Sequence, residues 1–183
     1  RCRTEHLEAA ALFVAELAPL VGADALVVVS PDAGSIKRAE AFRTRLSAVI
    51  KRPIGAPMAE KYLSGGVLTG EALVGDVRGK TTIIVDDLIS AGNTVARAAH
   101  ACHEHGAARV LAVASHGVFD EAANTVLAAS EIERIIVTDT IPPLRVTAPG
   151  LQSRLVQVRT AALFAETIRR LHSDGSIVEL LGE

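Results

Sequence analysis

A four-residue run at Thr82–Val85, in which every side chain is apolar or β-branched, leads straight into Asp86-Asp87. So short a run suits a strand better than a helix. With no polar alternation it cannot leave one face to water, and it must be covered on both sides, as in a parallel sheet under two layers of helices. The carboxylates then stand at the strand's carboxyl end, where open α/β sheets receive their ligands.

The rest of the chain repeats this alternation. Glu5–Val21 reads as an amphipathic helix, Leu26–Ser30 as a strand stopped by Pro31-Asp32-Ala33-Gly34, and Ile36–Ile50 as a second helix. Further strands are expected at Ala72–Val74, Val110–Ala114, Ile135–Thr138 and Leu155–Val158. Helices are expected at Thr94–His105, Glu121–Ala129 and Ala161–Leu171, the first of these ending at Gly106, a good C′ residue. Such an order implies right-handed crossovers and a mainly parallel, twisted sheet flanked by helices. The expectation is one α/β domain over residues 1–183. Between Lys51 and Gly70, prolines and glycines cluster at Pro53, Gly55, Pro57, Gly65 and Gly66. That density marks a loop or flexible flap at about 51–70 rather than a core element.

Composition agrees and excludes several classes. The 183 residues are 49% apolar but 3% aromatic, with no Trp, so Val, Leu, Ile and Ala must fill the core. No run approaches the ~18 apolar residues of a membrane span, and the charged start leads into an amphipathic stretch rather than a signal peptide. A net charge of −2 argues against a nucleic-acid surface, which shows as a basic stripe. Two cysteines, Cys2 and Cys102, make no disulfide framework and suit a reducing cytoplasm. The first residue is Arg rather than Met, so further residues upstream are expected.

The segment after Asp87 has the makings of a phosphate cradle. Gly92 and Asn93 tolerate positive φ, which lets successive N–H groups converge on an anion. Ser90 and Thr94 add hydroxyls, and the next helix aims its positive end at the same point. The two carboxylates suit sugar hydroxyls or a divalent metal. Spacing alone leaves open a plainer reading, in which the Asp pair caps the helix and Gly92-Asn93 makes a turn. Neither a Walker A sequence nor a GxGxxG fingerprint is present. A second junction, Ser30-Pro31-Asp32-Ala33-Gly34, precedes a helix carrying Lys37 and Arg38. Its backbone amides can hold a diphosphate and Asp32 can ligate Mg²⁺, although an Asp-Gly turn would look the same. His100, Cys102, His103 and His105 lack a second ligand pair at a zinc-like distance and read as helix-face residues. His116-Gly117 either borders the cleft or is a strand-exit turn, and the Leu163/Phe164/Ile168/Leu171 pattern reads as core or subunit contact.

At this point a resemblance enters. IIVDDLISAGNT resembles the ribose-phosphate loop of type I phosphoribosyltransferases. Together with VVVSPDAGSIKRAEAF, VGDVRGKTTIIVDDLIS, VLAVASHGVF, IIVTDTIPP and AETIRRLHSDGSIVELL, it resembles the ribose-phosphate pyrophosphokinase family, whose product is phosphoribosyl pyrophosphate (PRPP). The likeness runs in order from about Glu5 to Leu181 and corresponds to the C-terminal half of that family's subunit, without its first domain.

The resemblance implies a type I phosphoribosyltransferase-like fold, with ATP and ribose 5-phosphate as substrates, Mg²⁺ as cofactor and a homo-oligomeric assembly. It implies that Asp86, Asp87, Ser90, Ala91, Gly92, Asn93 and Thr94 hold ribose 5-phosphate. Asp32, Ala33 and Gly34 would form the diphosphate loop, with Asp32 on the metal. In the family a mobile loop carries a catalytic Lys, matched by Lys61, and an Arg two positions later, where this chain has Leu63. Ala91 replaces a common Thr, and Asn93 a small residue. Those departures motivate a second expectation, a degenerate relative that binds phosphoribosyl ligands or regulates a partner without turnover. A nucleobase phosphoribosyltransferase shares the loop but fits the SPDAG segment and the C-terminal tail less well.

Overall fold

A computed structural model describes residues 6–55, 58–64, 67–74 and 76–181. Two helices, α1 (Ala10–Val21) and α2 (Ile36–Ile50), flank β1 (Leu26–Val29). A two-stranded ribbon follows, β2 (Met58–Ser64) and β3 (Val67–Val74), and then β4 (Thr81–Ile89), α3 (Asn93–Glu104) and β5 (Arg109–Gly117). The chain continues through a short α4 (Ala123–Val126), β6 (Arg134–Thr138), a short α5 (Pro149–Gln152), β7 (Leu155–Val158), α6 (Ala161–His172) and α7 (Ile177–Leu181).

Five strands form one parallel sheet in the order β1-β4-β5-β6-β7. One more segment extends it. The Val28 N–H donates to Gly55 O at 3.0 Å and the Gly55 N–H to Leu26 O at 3.1 Å, so Gly55 pairs in parallel along the outer edge of β1. The chain therefore leaves β1 outward through α2 to Gly55. It then returns and builds the opposite way from β4 through α3 to β5. Right-handed crossovers in opposite directions put the two helix layers on opposite faces. The side chains agree: Phe13 and Leu17 of α1 and Phe42 and Leu46 of α2 cover Val28, Ile83, Leu111 and Ile136. Val95, Ala99 and Cys102 of α3 cover Val29, Ile84, Ala112 and Val137 on the other side. The direction reverses between β1 and β4, and the crevice at such a reversal is where this class of sheet binds ligands.

Three expectations need correction. Helix α1 begins at Ala10 rather than Glu5, where Ala9 at the N-cap supplies no side-chain acceptor; Glu5 lies outside the described residues. The helix expected over Glu121–Ala129 shrinks to Ala123–Val126. Arg154 caps the turn that follows it, donating to the carbonyls of Leu127 and Ala128 at 2.7 and 2.9 Å. Asn124 turns outward to Arg145 O, Thr147 N and Ala148 N. The segment read as an irregular flap over 51–70 contains an antiparallel ribbon, with Ser64 opposite Val67 and a register shift between Lys61 and Leu63. Gly65 and Gly66, which lie outside the described residues, are the pair that a two-residue hairpin connection favours. The dipeptide signals a tight turn between strands as readily as a loop.

Candidate functional site

The carboxyl ends of β1 and β4 bring the two sequence-predicted loops together. After β1, the Ser30 hydroxyl donates to Asp32 O at 2.6 Å, and the Asp32 carboxylate accepts the Ser35 N–H at 3.0 Å, capping a 3-10 turn over Ala33–Ser35. The other Asp32 oxygen has no hydrogen-bond partner among the described residues. Ala33 and Gly34 are exposed at the head of α2. From this loop Ser35 Oγ donates to Asp86 Oδ1 at 3.2 Å, a contact across 51 residues of sequence.

Arg38, one turn into α2, completes the junction. Its guanidinium lies 3.0 Å from Asp87 Oδ2 and 3.5 Å from Asp86 Oδ1, and it donates to Ser35 Oγ at 3.3 Å. The adjacent carboxylates sit in different surroundings, since the Asp86 side chain is 12% exposed and that of Asp87 57%. Burial raises the Asp86 carboxyl above its ordinary range, against the N–H of Asp87, which donates to it at 2.9 Å. Partial desolvation acts on Asp87 too, but there the Arg38 charge and local hydrogen bonds win and hold it low. Asp87 is thus the anionic acceptor of the pair, and Asp86 the member more easily protonated.

Beyond them the chain turns into α3. Gly92 is the N-cap residue, with φ +84° and no side-chain cap. The first N–H groups of α3, without intrahelical partners, face outward. Asp86, Leu88 and the 89–95 segment enclose a cavity of about 190 Å³ at this end. Asp86 also lines a second cavity, of about 410 Å³, with Gly34, Lys37, Arg38 and Ser115. One carboxylate therefore lies between a small compartment at the head of α3 and a larger one where Lys37 and Arg38 stand beside Glu8 and apolar residues of α1 and α2.

Ser90, Ala91, Gly92, Asn93 and Thr94 line the smaller cavity, whereas Gly34 lines the larger one, with Asp32 and Ala33 just before it in the loop after β1. Lys61 lies on β2 opposite Glu71; its side chain falls outside the described residues. Sequence reasoning missed Ser35 and Asp120. The Ser90 hydroxyl donates to Asp120 Oδ2 at 3.1 Å, so its one proton is already committed. No short-range signal marks either partner. The histidines form no metal centre: no group of three or more His, Cys, Asp or Glu among the described residues is placed to hold an ion. His100 instead pairs with Glu131 at 2.9 Å, and His105 Nδ1 lies 2.7 Å from Ala101 O at the end of α3. Cys102 is buried, and desolvation pushes its thiol up to about 11, which leaves it unreactive.

Mg²⁺ that arrives with a substrate diphosphate does not need a three-ligand protein cage. That ion keeps several waters and takes one or two carboxylates besides phosphate oxygens. The half-occupied carboxylate of Asp32, beside exposed backbone, fits that donor set.

With this geometry in view, the chain's likeness to known proteins becomes informative. A family model described as the phosphoribosyl synthetase-associated domain matches residues 69–182. A ribose-phosphate pyrophosphokinase of Neisseria meningitidis is 42% identical over 158 residues, covering 86% of this chain and 46% of that protein. A chloroplastic ribose-phosphate pyrophosphokinase of Arabidopsis thaliana is 39% identical over 83% of this chain and 36% of its own length. The crystal structure of a phosphoribosylpyrophosphate synthetase from Mycobacterium smegmatis superposes with a TM-score of 0.77 at 32% identity, over 93% of this chain and 53% of that one. The chain spans about half the length of the relatives it matches.

Proposed function

The chain belongs to the phosphoribosyl synthetase family, and from that premise we propose that it acts as a ribose-phosphate pyrophosphokinase. The reaction is transfer of the β,γ-diphosphoryl group of ATP to the anomeric hydroxyl of ribose 5-phosphate. The sugar C1 oxygen attacks Pβ and gives up its proton to solvent, the Pα–O–Pβ bridge opens with its oxygen staying on AMP, and AMP and PRPP leave with no covalent enzyme intermediate. The observation that carries this reading is the meeting of two anion loops at one acidic pair, through Ser35, Arg38, Asp86 and Asp87.

Each residue then has a physical task. The uncapped head of α3 and the 90–94 loop hold the 5-phosphate, and Asp87 and Asp86 accept hydrogen bonds from ribose hydroxyls. Lys37 and Arg38, on the larger cavity, face the incoming diphosphate. When Mg²⁺ is bound with the diphosphate, at Asp32, it neutralises charge on the transferring oxygens. Lys61 supplies a further cation to the transition state. Fixed charges of this kind lower a phosphoryl-transfer barrier because they need no reorganisation as charge develops. A homo-oligomer in the cytoplasm, acting on small molecules rather than nucleic acid or membrane, completes the proposal. No described helix is long and apolar enough to cross a membrane.

The test is to incubate the protein with ATP, ribose 5-phosphate and Mg²⁺ and to measure AMP and PRPP. Lys61→Ala should lower the rate roughly 10²–10³-fold, the usual effect of removing one transition-state donor. A second reading, binding of phosphoribosyl ligands without turnover, is favoured by Leu63 and by the commitment of the Ser90 proton to Asp120. It predicts calorimetric binding of ribose 5-phosphate with no AMP formed. Failure to bind ribose 5-phosphate at all would overturn both.

A further inference from the structure

At the rim of the same crevice lies His116, which the roles above leave unused. It is exposed near the end of β5 and stands in register with Leu88 of β4. Register partners on neighbouring parallel strands leave the sheet on the same face, and Leu88 lines the cavity at the head of α3. The imidazole therefore stands beside the wall of the phosphate compartment.

Its protonation pattern is fixed by a chain of hydroxyls. Thr138 Oγ1 donates to the Ser115 carbonyl, which can only accept, so its single proton is spent. Thr138 Oγ1, 2.7 Å from Thr140 Oγ1, must then accept there, which spends the Thr140 proton. It also accepts the Thr140 N–H at 3.3 Å, filling its second lone pair. Thr140 Oγ1, 2.9 Å from His116 Nδ1, is left as an acceptor, so Nδ1 carries the hydrogen. A neutral imidazole has one N–H and one lone pair. The lone pair is therefore on Nε2, at the far side of the ring from Thr140.

We infer that His116 is a ligand-binding residue whose Nε2 accepts a hydrogen bond from a sugar hydroxyl of the phosphorylated ligand held at the head of α3. Thr140 and Thr138 act as positioning residues that preset the acceptor. The inference rests on the sugar-phosphate reading of the site, and deepens it by assigning a hydroxyl contact outside the acidic pair.

The experiment compares His116→Asn with His116→Gln. The Asn amide reaches the Nδ1 position and keeps a donor for Thr140 but has nothing at Nε2. Gln extends to the Nε2 position with an amide oxygen. By calorimetry, His116→Asn should weaken ribose 5-phosphate binding about tenfold, the worth of one hydrogen bond. Inorganic phosphate should bind both proteins alike, and Gln should restore most of the loss. Among monodeoxy analogues of ribose 5-phosphate, one should bind wild type and His116→Asn equally. Imidazole ¹⁵N shifts should report the Nδ1–H tautomer in the free protein, and Thr140→Val should abolish that preference.

An Nε2–H tautomer, unchanged ribose 5-phosphate affinity in His116→Asn, or an equal loss for inorganic phosphate would each overturn the inference while leaving the sugar-phosphate reading intact. If wild type binds inorganic phosphate but not ribose 5-phosphate, the sugar-phosphate reading falls and the His116 contact falls with it.

Discussion

A Cβ placed on Gly92 would stand 2.5 Å from Leu127 Cδ2, and φ there is +84°, a conformation L side chains rarely adopt. Two independent costs fall on one atom, backbone strain and overpacking against a fully buried leucine. Gly92→Ala should therefore lower stability by on the order of 2 kcal/mol, read as a drop in the urea midpoint. It should also weaken inorganic phosphate binding, because relief of the clash moves the head of α3. An unchanged midpoint would show that neither the positive φ nor the Leu127 contact constrains this position. Gly92, Asp86 and Asp87 were legible in the sequence because their chemistry is local: an apolar run, two carboxylates and a turn residue lie within a few positions. Ser35 and Asp120 were not, since their partners lie 51 and 30 residues away. A lone Ser or Asp carries no mark of a contact that only the sheet creates.

Opposite the crevice, Arg109 joins the start of β5 to its surroundings. It donates to both oxygens of Glu133 at 2.8 Å and to Asp24 at 2.9 Å, while the Thr81 hydroxyl at the start of β4 donates to Asp24 at 2.8 Å. The Thr81 hydrogen bond, then Arg109, lowers the Asp24 carboxyl, and the Arg109 hydrogen bonds lower that of Glu133. The folded state thus binds these protons less readily than the unfolded chain. Their stabilisation is present above the unfolded carboxylate range, near pH 4, and is lost as pH falls through the lowered folded values. Both carboxylates are over a third exposed, at 40% and 45%, so solvent screening keeps the effect modest. Wild type should lose urea resistance as pH falls below about 5 and through the lowered folded values, and Arg109→Met should begin lower and decline less steeply. Equal slopes would mean the cluster does not couple to folding. The same scale shows where element reading fails. The strands of the sheet advertise themselves as apolar runs, whereas the β2–β3 ribbon falls in a Pro- and Gly-rich stretch whose composition conceals its strands. Helix α4 is shorter than its apolar spacing suggests, and the turn after it is held by Arg154, 27 residues beyond Leu127, a contact that no local pattern shows.

Across the whole molecule, the reversal of direction between β1 and β4 does most to position the site, and it depends on Gly55 pairing outside β1. Nothing in the sequence distinguishes that position from the rest of a Pro- and Gly-rich stretch, so the doubly wound order could be expected only in outline. The Leu163/Phe164/Ile168/Leu171 pattern of α6 reads as core or subunit contact, and within this chain Phe164 is 47% exposed, Ile168 65% and Leu171 64%, with Val178 of α7 at 44%, so the chain's own core does not cover it. Amphipathic periodicity fixes which side of a helix is apolar and leaves open what covers it. Because these side chains face water within the chain, charging them removes no intramolecular burial. Ile168→Glu with Leu171→Glu should shift stability by less than about 0.5 kcal/mol in dilute solution, as exposed substitutions do. Binding of a dye that reports open apolar surface should fall at the same time. A loss of 2 kcal/mol or more, the scale of full burial of a leucine or isoleucine side chain, would instead show that the stripe is packed in solution. That outcome would place α6 against the protein rather than beside it.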